Sequence, residues 1–582
     1  MGVEQPRPVE RNPFPVDAWT DPGYEQWFQA HRATDAELAR QRAESEGMAE
    51  RPVFSFIVPL YKTPLDYLEV MARSVLDQTY PALQLVLVNA SPELPELSEA
   101  AAALAARDER VTVVALEGNL GITENTNAGI AVATGDFCCF LDHDDFIEPN
   151  LLFEYVQALH EHPDIDVLYC DEDMVEDGGA GDFRHVHPLF KPDYSPEFLL
   201  SKNYLMHLMT IRRSIIGQMP LPDARFDGSQ DFNMALWCTA HARRVARVPR
   251  VLYHWRIHAQ STATNPDSKP YTLRSCRLAL AGQVERLGLS ATIIEMGIYL
   301  LHALWFQASG AARVSVVVDV RSADDLPLFA ELFCQNNSCP QVEVLLVGAD
   351  EGAASGLGDI FRAVSCPAGA TRYERLNLGA SQAQGDYLLF MDSGCRFDTA
   401  QPLEQLMGLC AVEGVGVAAP KVRYGDGRTK SYGVAVTGAG IFPRYRGYED
   451  DFPGYQCSLR AFQNASAVEF EGMMVARALF EELGGFDAAY ASEIGAVEFC
   501  HRVRASGARV ALTPTVKLHT DAPCPEQCFV AAKNAPDYTV LDLARFDASW
   551  PGVRAEGDSY GNPQCDQVSG YCQLPPSAPI HG

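Results

Sequence analysis

Positive charge is scarce in this sequence. Lysine and arginine number 46 against 76 aspartates and glutamates, for a formal net charge of −30 at pH 7. So acidic a chain is a poor match for nucleic acid and lacks the polybasic hold on anionic lipid. Long apolar runs are missing as well. None approaches the roughly 20 residues needed to cross a bilayer, and the apolar stretch Ile298 to Phe306 is far too short. Met1 to Val16 is polar and proline-rich with no apolar core, so no secretory leader is expected there. Cys-x-x-Cys pairs are absent among the 16 cysteines, and several of these, such as Cys138 and Cys139, sit inside apolar runs. The pattern predicts a reduced cytoplasmic protein with buried thiols rather than a disulfide framework. Cys524, Cys528, Cys565 and Cys572 are the exception. Pairing and metal binding both stay open for them, although their spacing fits no zinc pattern.

The 582 residues set a soft prior of roughly four domains, or fewer large ones. Hydrophobic content of 47% is ample for sizeable cores. The chain is organised around Gly135-Asp-Phe-Cys-Cys-Phe-Leu-Asp-His-Asp-Asp-Phe146. The apolar run Phe137 to Leu141 predicts a buried strand, and it ends abruptly in Asp142, His143, Asp144 and Asp145. Carboxylates this close repel one another and are costly beside a core unless paired. Oxygen-rich clusters at a strand end suit a hard cation such as Mg²⁺ or Mn²⁺. A solvated acidic loop is the plainer alternative.

Periodicity supplies the surroundings. Residues 1–50 form a polar arm and then a lead-in helix from Tyr24 to Arg42, with Tyr24, Trp27, Phe28, His31 and Leu38 at helical spacing. Val53 to Pro59 is a strand stopped by proline, Leu65 to Gln78 an amphipathic helix, and Leu83 to Asn89 a second strand. Ser98 to Ala106 is an alanine-rich helix, and Val111 to Leu116 a third strand. Asn119 to Gly129 leads into another helix and then the central strand. Strands alternating with helices predict a parallel α/β sheet, which binds ligands across its strand ends.

Ser55 to Tyr61, Ser74 to Tyr80, Asn119 to Gly129 and the Asp142–Asp145 cluster together resemble the opening domain of inverting family 2 glycosyltransferases, which have the GT-A fold. The likeness continues through Tyr169 to Asp173, Phe190 to Pro196, Phe226 to Asp231 and Val251 to His258. These later blocks resemble the bacterial subgroup that builds rhamnose-rich and O-antigen-type surface polysaccharides. The resemblance implies a catalytic domain over 51–300 that takes a nucleotide sugar, dTDP-rhamnose or a UDP-sugar, and Mn²⁺ or Mg²⁺. Carried over, Asp144 is the metal ligand, Asp142 its partner on the nucleotide side, and Asp145 their orienter. Asp231 falls where the family places the general base, although Ser229 and Asp231 would also make good helix caps.

In Val251 to His258, alternation puts His254, Arg256 and His258 on one face. By the resemblance His258 is the late metal or diphosphate histidine, with His254 as second choice. Pro59, Tyr61, Asn89, Asn119, Asn127 and His143 are expected along the nucleotide sugar. Asn89 stands where relatives carry Asp, and Thr126 where many carry Arg. Asp171-Glu172-Asp173 would either line the donor-sugar pocket or form a solvated turn before Gly178-Gly179. The Gln-x-x-Arg-Trp motif of processive, membrane-embedded relatives is absent.

The second half repeats the first. Asn377-Leu-Gly-Ala380 echoes Asn119-Leu-Gly-Ile122, and Gly385 to Asp392 echoes Gly135 to Asp142. The fold class expected is therefore α/β with two tandem GT-A domains, the second over 310–522 and degenerate. Asp392 is followed by Ser393, Gly394 and Cys395, and only Glu493, Glu498 and His519 remain as candidate site residues. Residues 300–312 join the domains, and 523–582 read as a loosely ordered tail.

The reading is an inverting hexosyl or rhamnosyl transferase acting on a glycan or lipid-linked glycan for bacterial surface polysaccharide. A lipid-linked acceptor would bring it to the inner membrane face, although no basic amphipathic helix marks such a contact. The alternative is a non-catalytic carbohydrate-binding or scaffold protein of a glycan-assembly complex. A sugar nucleotidyltransferase fits less well, because Pro59-Leu-Tyr-Lys-Thr63 is not a glycine-rich phosphate loop.

Overall fold

The computed structural model describes residues 19–49, 51–179, 182–258, 271–298, 300–307, 312–524, 540–565 and 572–574. In chain order the first sheet contains β1 (Phe54–Leu60), β2 (Leu83–Asn89), β3 (Val111–Ala115), β4 (Phe137–Phe140) and β5 (Phe146–Ile147). It continues with β6 (Ile165–Asp177), β7 (Phe183–Leu189), β8 (Thr210–Arg212) and β9 (Arg244–Ile257). The spatial order is β3-β2-β1-β4-β8-β6-β9-β5, with β7 beside β6.

β1 is buried along its whole length. It runs parallel to β2, from Phe54 opposite Leu83 to Leu60 opposite Asn89, and parallel to β4, from Phe54 opposite Phe137 to Ile57 opposite Phe140. The strand does not stop at Pro59. Leu60 accepts from Ala90 on the β2 side, while Ile57 accepts from Leu141 on the β4 side, so Pro59 points toward the β4 side, beyond its last residue. A residue without an N–H is tolerated where the ladder has ended.

Helix Ile122–Val132 lies against β1 and β2 at Gly129. A Cβ there would sit 2.5 Å from Ile57 Cγ2 and 3.0 Å from Val88 Cγ2. Alanine would gain about 1 kcal/mol of helix propensity, but overpacking of this kind costs about 1–3 kcal/mol. Gly129→Ala is therefore expected to lower the chemical-denaturation midpoint despite the better helix former.

The lead-in helix is two helices, Tyr24–His31 and Asp35–Gly47. Thr34 and Glu37 form a capping box that starts the second one, and this breaks the expected single run. Tyr24 and Phe28 are buried against the first sheet.

β10 (Ala291–Glu295) and β11 (His302–Phe306) form an antiparallel hairpin, so part of the expected joining segment is a strand. Gln405 clamps its end, accepting from Phe306 N at 2.9 Å and donating to Phe306 O at 3.0 Å. The second large sheet contains β12 (Val314–Asp319), β13 (Val342–Val347), β14 (Phe361–Val364), β15 (Tyr387–Asp392), β16 (Cys395–Phe397) and β17 (Val415–Arg423). β18 (Thr429–Ser431) also belongs to it, β19 (Val434–Thr437) and β20 (Gly440–Pro443) pair as a separate hairpin, and the sheet continues with β21 (Gln463–Asn464), β22 (Met473–Ala476) and β23 (Arg509–Thr520). Its order, β14-β13-β12-β15-β22-β17-β23-β16, reproduces the first sheet position for position.

The same stitches hold both sheets. Ser55 Oγ accepts from Gly135 N at 2.9 Å, and Ser315 Oγ from Gly385 N at 2.8 Å. Asp136 takes Val53 N and Asp386 takes Arg313 N, each at 2.9 Å. Arg213 Nε reaches Gly135 O at 2.6 Å, as Arg477 Nε reaches Gly385 O at 2.7 Å.

The halves share a continuous apolar core, and polar and charged contacts join them as well. Arg509 pairs with Glu197 at 2.7 Å, Ser195 Oγ donates to Asn464 Oδ1 at 2.7 Å, and Phe462 N donates to Ser201 Oγ at 2.8 Å. The described part of the tail is not loose. Helix Val540–Ser549 offers Asp542 to Ser492 N and Oγ at 2.7 and 2.6 Å. Asn562 Nδ2 donates to Asp171 Oδ2 at 2.8 Å and to Lys191 O at 2.9 Å. Cys565 and Cys572 form a disulfide, one of the two outcomes left open for the tail cysteines; Cys528 lies outside the described residues. Among the described residues no helix is long and apolar enough to cross a membrane.

Candidate active site at the strand ends of the first sheet

β4 gives out at Phe140, and the chain turns through the acidic cluster before β5 pairs with β9, Phe146 opposite His254. Asp142, Asp144 and Asp145 each bring a carboxylate oxygen within 4.8 Å of the others. Their environments divide the work. Asp145 is fully buried, accepts from the Tyr253 hydroxyl, and takes Arg256 N at 2.9 Å. Burial, then Asp144 and Asp142, pushes its carboxyl well up. It orients the loop. Asp144 lies 2.7 Å from His258 Nε2. Burial works against its charge, but His143 and His258 hold its pKa below the usual value. Asp142 keeps 54% of its side chain exposed, open to an incoming ligand.

β9 supplies the wall. Arg256 Nε donates to Asp144 O at 2.8 Å, its guanidinium lies 4.2 Å over the Tyr67 ring, and Asp177 pairs with it. His254 faces the same way but does not join the cluster. Its Nδ1 lies 2.6 Å from Asp173 Oδ1 and its Nε2 3.3 Å from Glu148 Oε1. A strand advances about 6.6 Å for every two residues, so His254 sits two such steps short of His258. Burial lowers its pKa, but Asp173 and Glu148 raise it to about 9.

The trio Asp171-Glu172-Asp173 is neither a turn nor solvated. All three are buried on β6. Asp171 takes Lys191 N at 2.8 Å, Asp173 binds His185 at 2.9 Å and the Tyr24 hydroxyl at 2.8 Å, and Glu172 pairs with Lys191 Nζ at 3.2 Å.

Glu172 leads to a residue that the motifs do not mark. His207 Nδ1 lies 3.3 Å from Glu172, and His207 Nε2 lies 3.8 Å from Asp142. Burial lowers its pKa, but Glu172 first, then Asp142 and Asp145, raise it to about 9. It sits inside the apolar run Tyr204-Leu-Met-His207, where no spacing singles it out.

Asp231 occupies the first turn of helix Gln230–His241, whose N-cap is Ser229. It is not the cap. Its Oδ1 accepts from the adjacent Phe232 N at 2.7 Å and its Oδ2 from Asn203 at 3.3 Å. Ser229 Oγ instead donates to Thr272 O at 3.2 Å. Burial raises the pKa of Asp231, His207 pulls it back, and Asp142 raises it again. His207 and Asp142, 3.8 Å from each other, thus act on the base candidate with opposite sign.

The expected nucleotide-side residues divide. Tyr61 follows β1 and is 41% exposed. Asn89 is buried and bonded inward, accepting from Ser91 N at 3.0 Å and donating to Ser98 Oγ at 2.9 Å. Asn119 Oδ1 takes Gly121 N at 3.0 Å and Asn125 Nδ2 at 2.9 Å. Asn127 donates to Pro222 O at 2.8 Å, and Thr126 Oγ1 to Ile122 O at 2.8 Å. These residues build the loop more than they face a ligand. Gly121 has φ 94, and a Cβ would fall 2.6 Å from Asp227 Oδ2. Asp227 can therefore reach Thr123 N at 3.1 Å and dock Phe226 to Asp231 on the helix start. His143 Nδ1 is buried without a partner among the described residues.

In the second sheet the same place is filled by the protein itself. A Cβ on Gly394, the counterpart of Asp144, would fall on the Arg321 guanidinium, and Arg321 Nε lies 3.4 Å from Asp392. Helix Ile494–Ala505 has Gly495 where the first has Asp231, and the Tyr373 ring packs into that space. Glu493 pairs with Arg372, and Glu498 with Arg502 at 2.9 Å. His519, opposite Arg396 in the β16–β23 register, lies 3.3 Å from Asp398. It is therefore the counterpart of His254 beside Glu148, not of His258.

Residues 55–217 match the sequence profile of glycosyl transferase family 2. An uncharacterized protein of Sinorhizobium fredii, y4gI, is 28% identical over 88% of this chain and 58% of its own length. The O-antigen biosynthesis protein RfbC of Myxococcus xanthus is 26% identical over 92% of this chain and 42% of its own. The chain thus spans about half the length of these curated relatives. Among solved structures, Staphylococcus aureus TarS 1-349 in complex with UDP-GlcNAc is 20% identical over 40% of this chain and 66% of its own, with a TM-score of 0.32. The residues matched by the family profile, 55–217, include Asp142, Asp144, Asp145 and His207, while Asp231 and His258 lie beyond them. The stretch that matches glycosyl transferase family 2 thus builds most of the first mixed α/β sheet.

Proposed function

We propose that the first half is a metal-dependent inverting glycosyltransferase. Its donor is a nucleotide sugar, dTDP-rhamnose or a UDP-sugar, and its acceptor a glycan or lipid-linked glycan of bacterial surface polysaccharide. The observation that carries this reading is the cluster of Asp142 and Asp144, with His258 2.7 Å from Asp144 and His207 3.8 Å from Asp142, whose charges act on Asp231. The name of the Myxococcus relative supports the polysaccharide setting. Such chemistry draws on cytoplasmic nucleotide sugars and, with a lipid-linked acceptor, meets the inner membrane face.

The donor set fits the ion. Two carboxylates and an imidazole suit Mn²⁺ or Mg²⁺, and Asp145, already bonded to Tyr253 and Arg256, stays behind as their support. Asp144, Asp142 and His258 would hold the ion, which supplies charge stabilisation where the diphosphate departs. Asp231 does the proton work. The acceptor oxygen bonds to the anomeric carbon as the bond from that carbon to the phosphate oxygen breaks, and the hydroxyl proton passes to the Asp231 carboxylate. The nucleoside diphosphate leaves on the opposite face, which inverts the centre.

Calorimetric titration against nucleoside diphosphates and nucleotide sugars, with and without Mn²⁺, tests the reading. One nucleotide sugar that needs the metal to bind is expected. A folded protein that binds none of them would favour the scaffold alternative.

The second half is read as catalytically silent because Arg321 and Tyr373 occupy its ion and base positions. Asp392→Asn is expected to leave transfer within about twofold of wild type. A large loss in a steady-state transfer assay would show that this half takes part in the chemistry.

A further inference from the structure

A cavity of about 240 Å³ opens beside Asp231. Asn203, Phe232 and Leu301 of the first half line it, and Cys457 of the second half closes one side. Lys202 also faces it. Among the described residues the Lys202 ammonium has two partners, both neutral and both long: the side-chain oxygen of Gln456 at 3.3 Å and its carbonyl at 3.5 Å. Among the described residues it forms no ion pair; Cys457 and then Glu172 favour its charge without bonding to it. Asp231 does not neutralise it either, since its bonds go to Asn203 and Phe232.

Lys202 is partly withdrawn from water, and a cation so placed with no counter-charge in contact is costly. Burial lowers the pKa of Lys202 accordingly. The second half holds it there at a further cost. Gln456 and Cys457 both adopt left-handed backbone, with φ 55 and 64, which is strained for residues with a Cβ. That strained pair delivers both Gln456 oxygens to Lys202 and Cys457 to the cavity wall. The adjacent Ser201 is bonded to Phe462 N at 2.8 Å, so the two halves are pinned together at this point.

We propose that this cavity seats the acceptor and that Lys202, held by the second half, reads an anionic group beside the accepting hydroxyl. The inference rests on the transferase reading above. The anion is a carboxylate of an acidic sugar or a phosphate on the acceptor. The second half then contributes specificity through Gln456 and Cys457 rather than chemistry.

The test titrates the whole protein, in Mg²⁺ and the nucleoside diphosphate it binds, with methyl glucuronide, glucose 1-phosphate and methyl glucoside. An anionic probe is expected to bind about tenfold more tightly than the glucoside. Lys202→Met should erase the difference and Lys202→Arg should keep it. Preference for the glucuronide assigns an acidic sugar, and preference for the phosphate a phosphorylated acceptor. If Lys202→Met fails to fold, Lys202→Gln, which retains a donor toward Gln456, takes its place. Equal binding of the three probes, or an unchanged preference in the folded variant, overturns the assignment of Lys202 alone. No nucleotide binding under any condition overturns the transferase reading, and this inference with it.

Discussion

Asp231→Asn is expected to lower transfer by about 10²–10⁴-fold, the range a positioned general base contributes, while nucleotide affinity stays near wild type. The substitution keeps the shape of the side chain. An amide oxygen can still accept from Phe232 N or Asn203, so the first turn of helix Gln230–His241 should hold. What is lost is the ability to take a proton. Single-turnover transfer and calorimetric nucleotide binding separate the two effects. Loss of both would mean that Asp231 is structural, and loss of neither would place the base elsewhere. The pH profile offers a second check. The base acts deprotonated, and burial raises its pKa, so the acid limb of kcat/KM should lie above the ordinary aspartate range.

Asp144→Ala is expected to remove the metal dependence of nucleotide binding. Its oxygen faces His258 at 2.7 Å, and its backbone carbonyl is held by Arg256 at 2.8 Å. The carboxylate can therefore be deleted while the loop keeps its main-chain anchor. In Mn²⁺ the variant should bind nucleotide about 10²-fold more weakly than wild type. In excess EDTA the two proteins should bind alike. The informative quantity is that difference of differences, because it isolates the ion from direct contacts. A variant that still binds more tightly with Mn²⁺ would move the ligand role to Asp142 or His258.

How much of this was legible in the sequence depended on the kind of residue. β1 and β4 show as apolar runs because both are buried on both faces, and Asp142–Asp145 stands out because acids rarely follow such a run directly. The duplication was legible in Gly385 to Asp392, and the matching strand order follows. Buried acids misled. Asp171, Glu172 and Asp173 look like a solvated turn, yet each meets a partner distant in sequence, such as Lys191, His207 or His254. His254 and His258 share a face, and alternation cannot report how far apart along the strand two ligands may lie. His207 left no signal, since its partners come from other strands and loops. The tail resisted for a related reason. Asp542 and Asn562 anchor it by polar bonds to residues far away in sequence, which no periodicity reveals.

The two sheets give the molecule an internal control. Ser55 and Ser315, Gly135 and Gly385, Asp136 and Asp386, and Arg213 and Arg477 repeat the same bonds in both copies. So does the acid–imidazole pair Glu148–His254, matched by Asp398–His519. These positions answer to the demands of building the sheet. Asp144, Asp145 and Asp231 have no such twin. In their places stand Gly394 under a guanidinium, Cys395, and Gly495 under a phenol ring. Subtracting one copy from the other within a single polypeptide thus separates the side chains the shared sheet requires from those found in one copy alone.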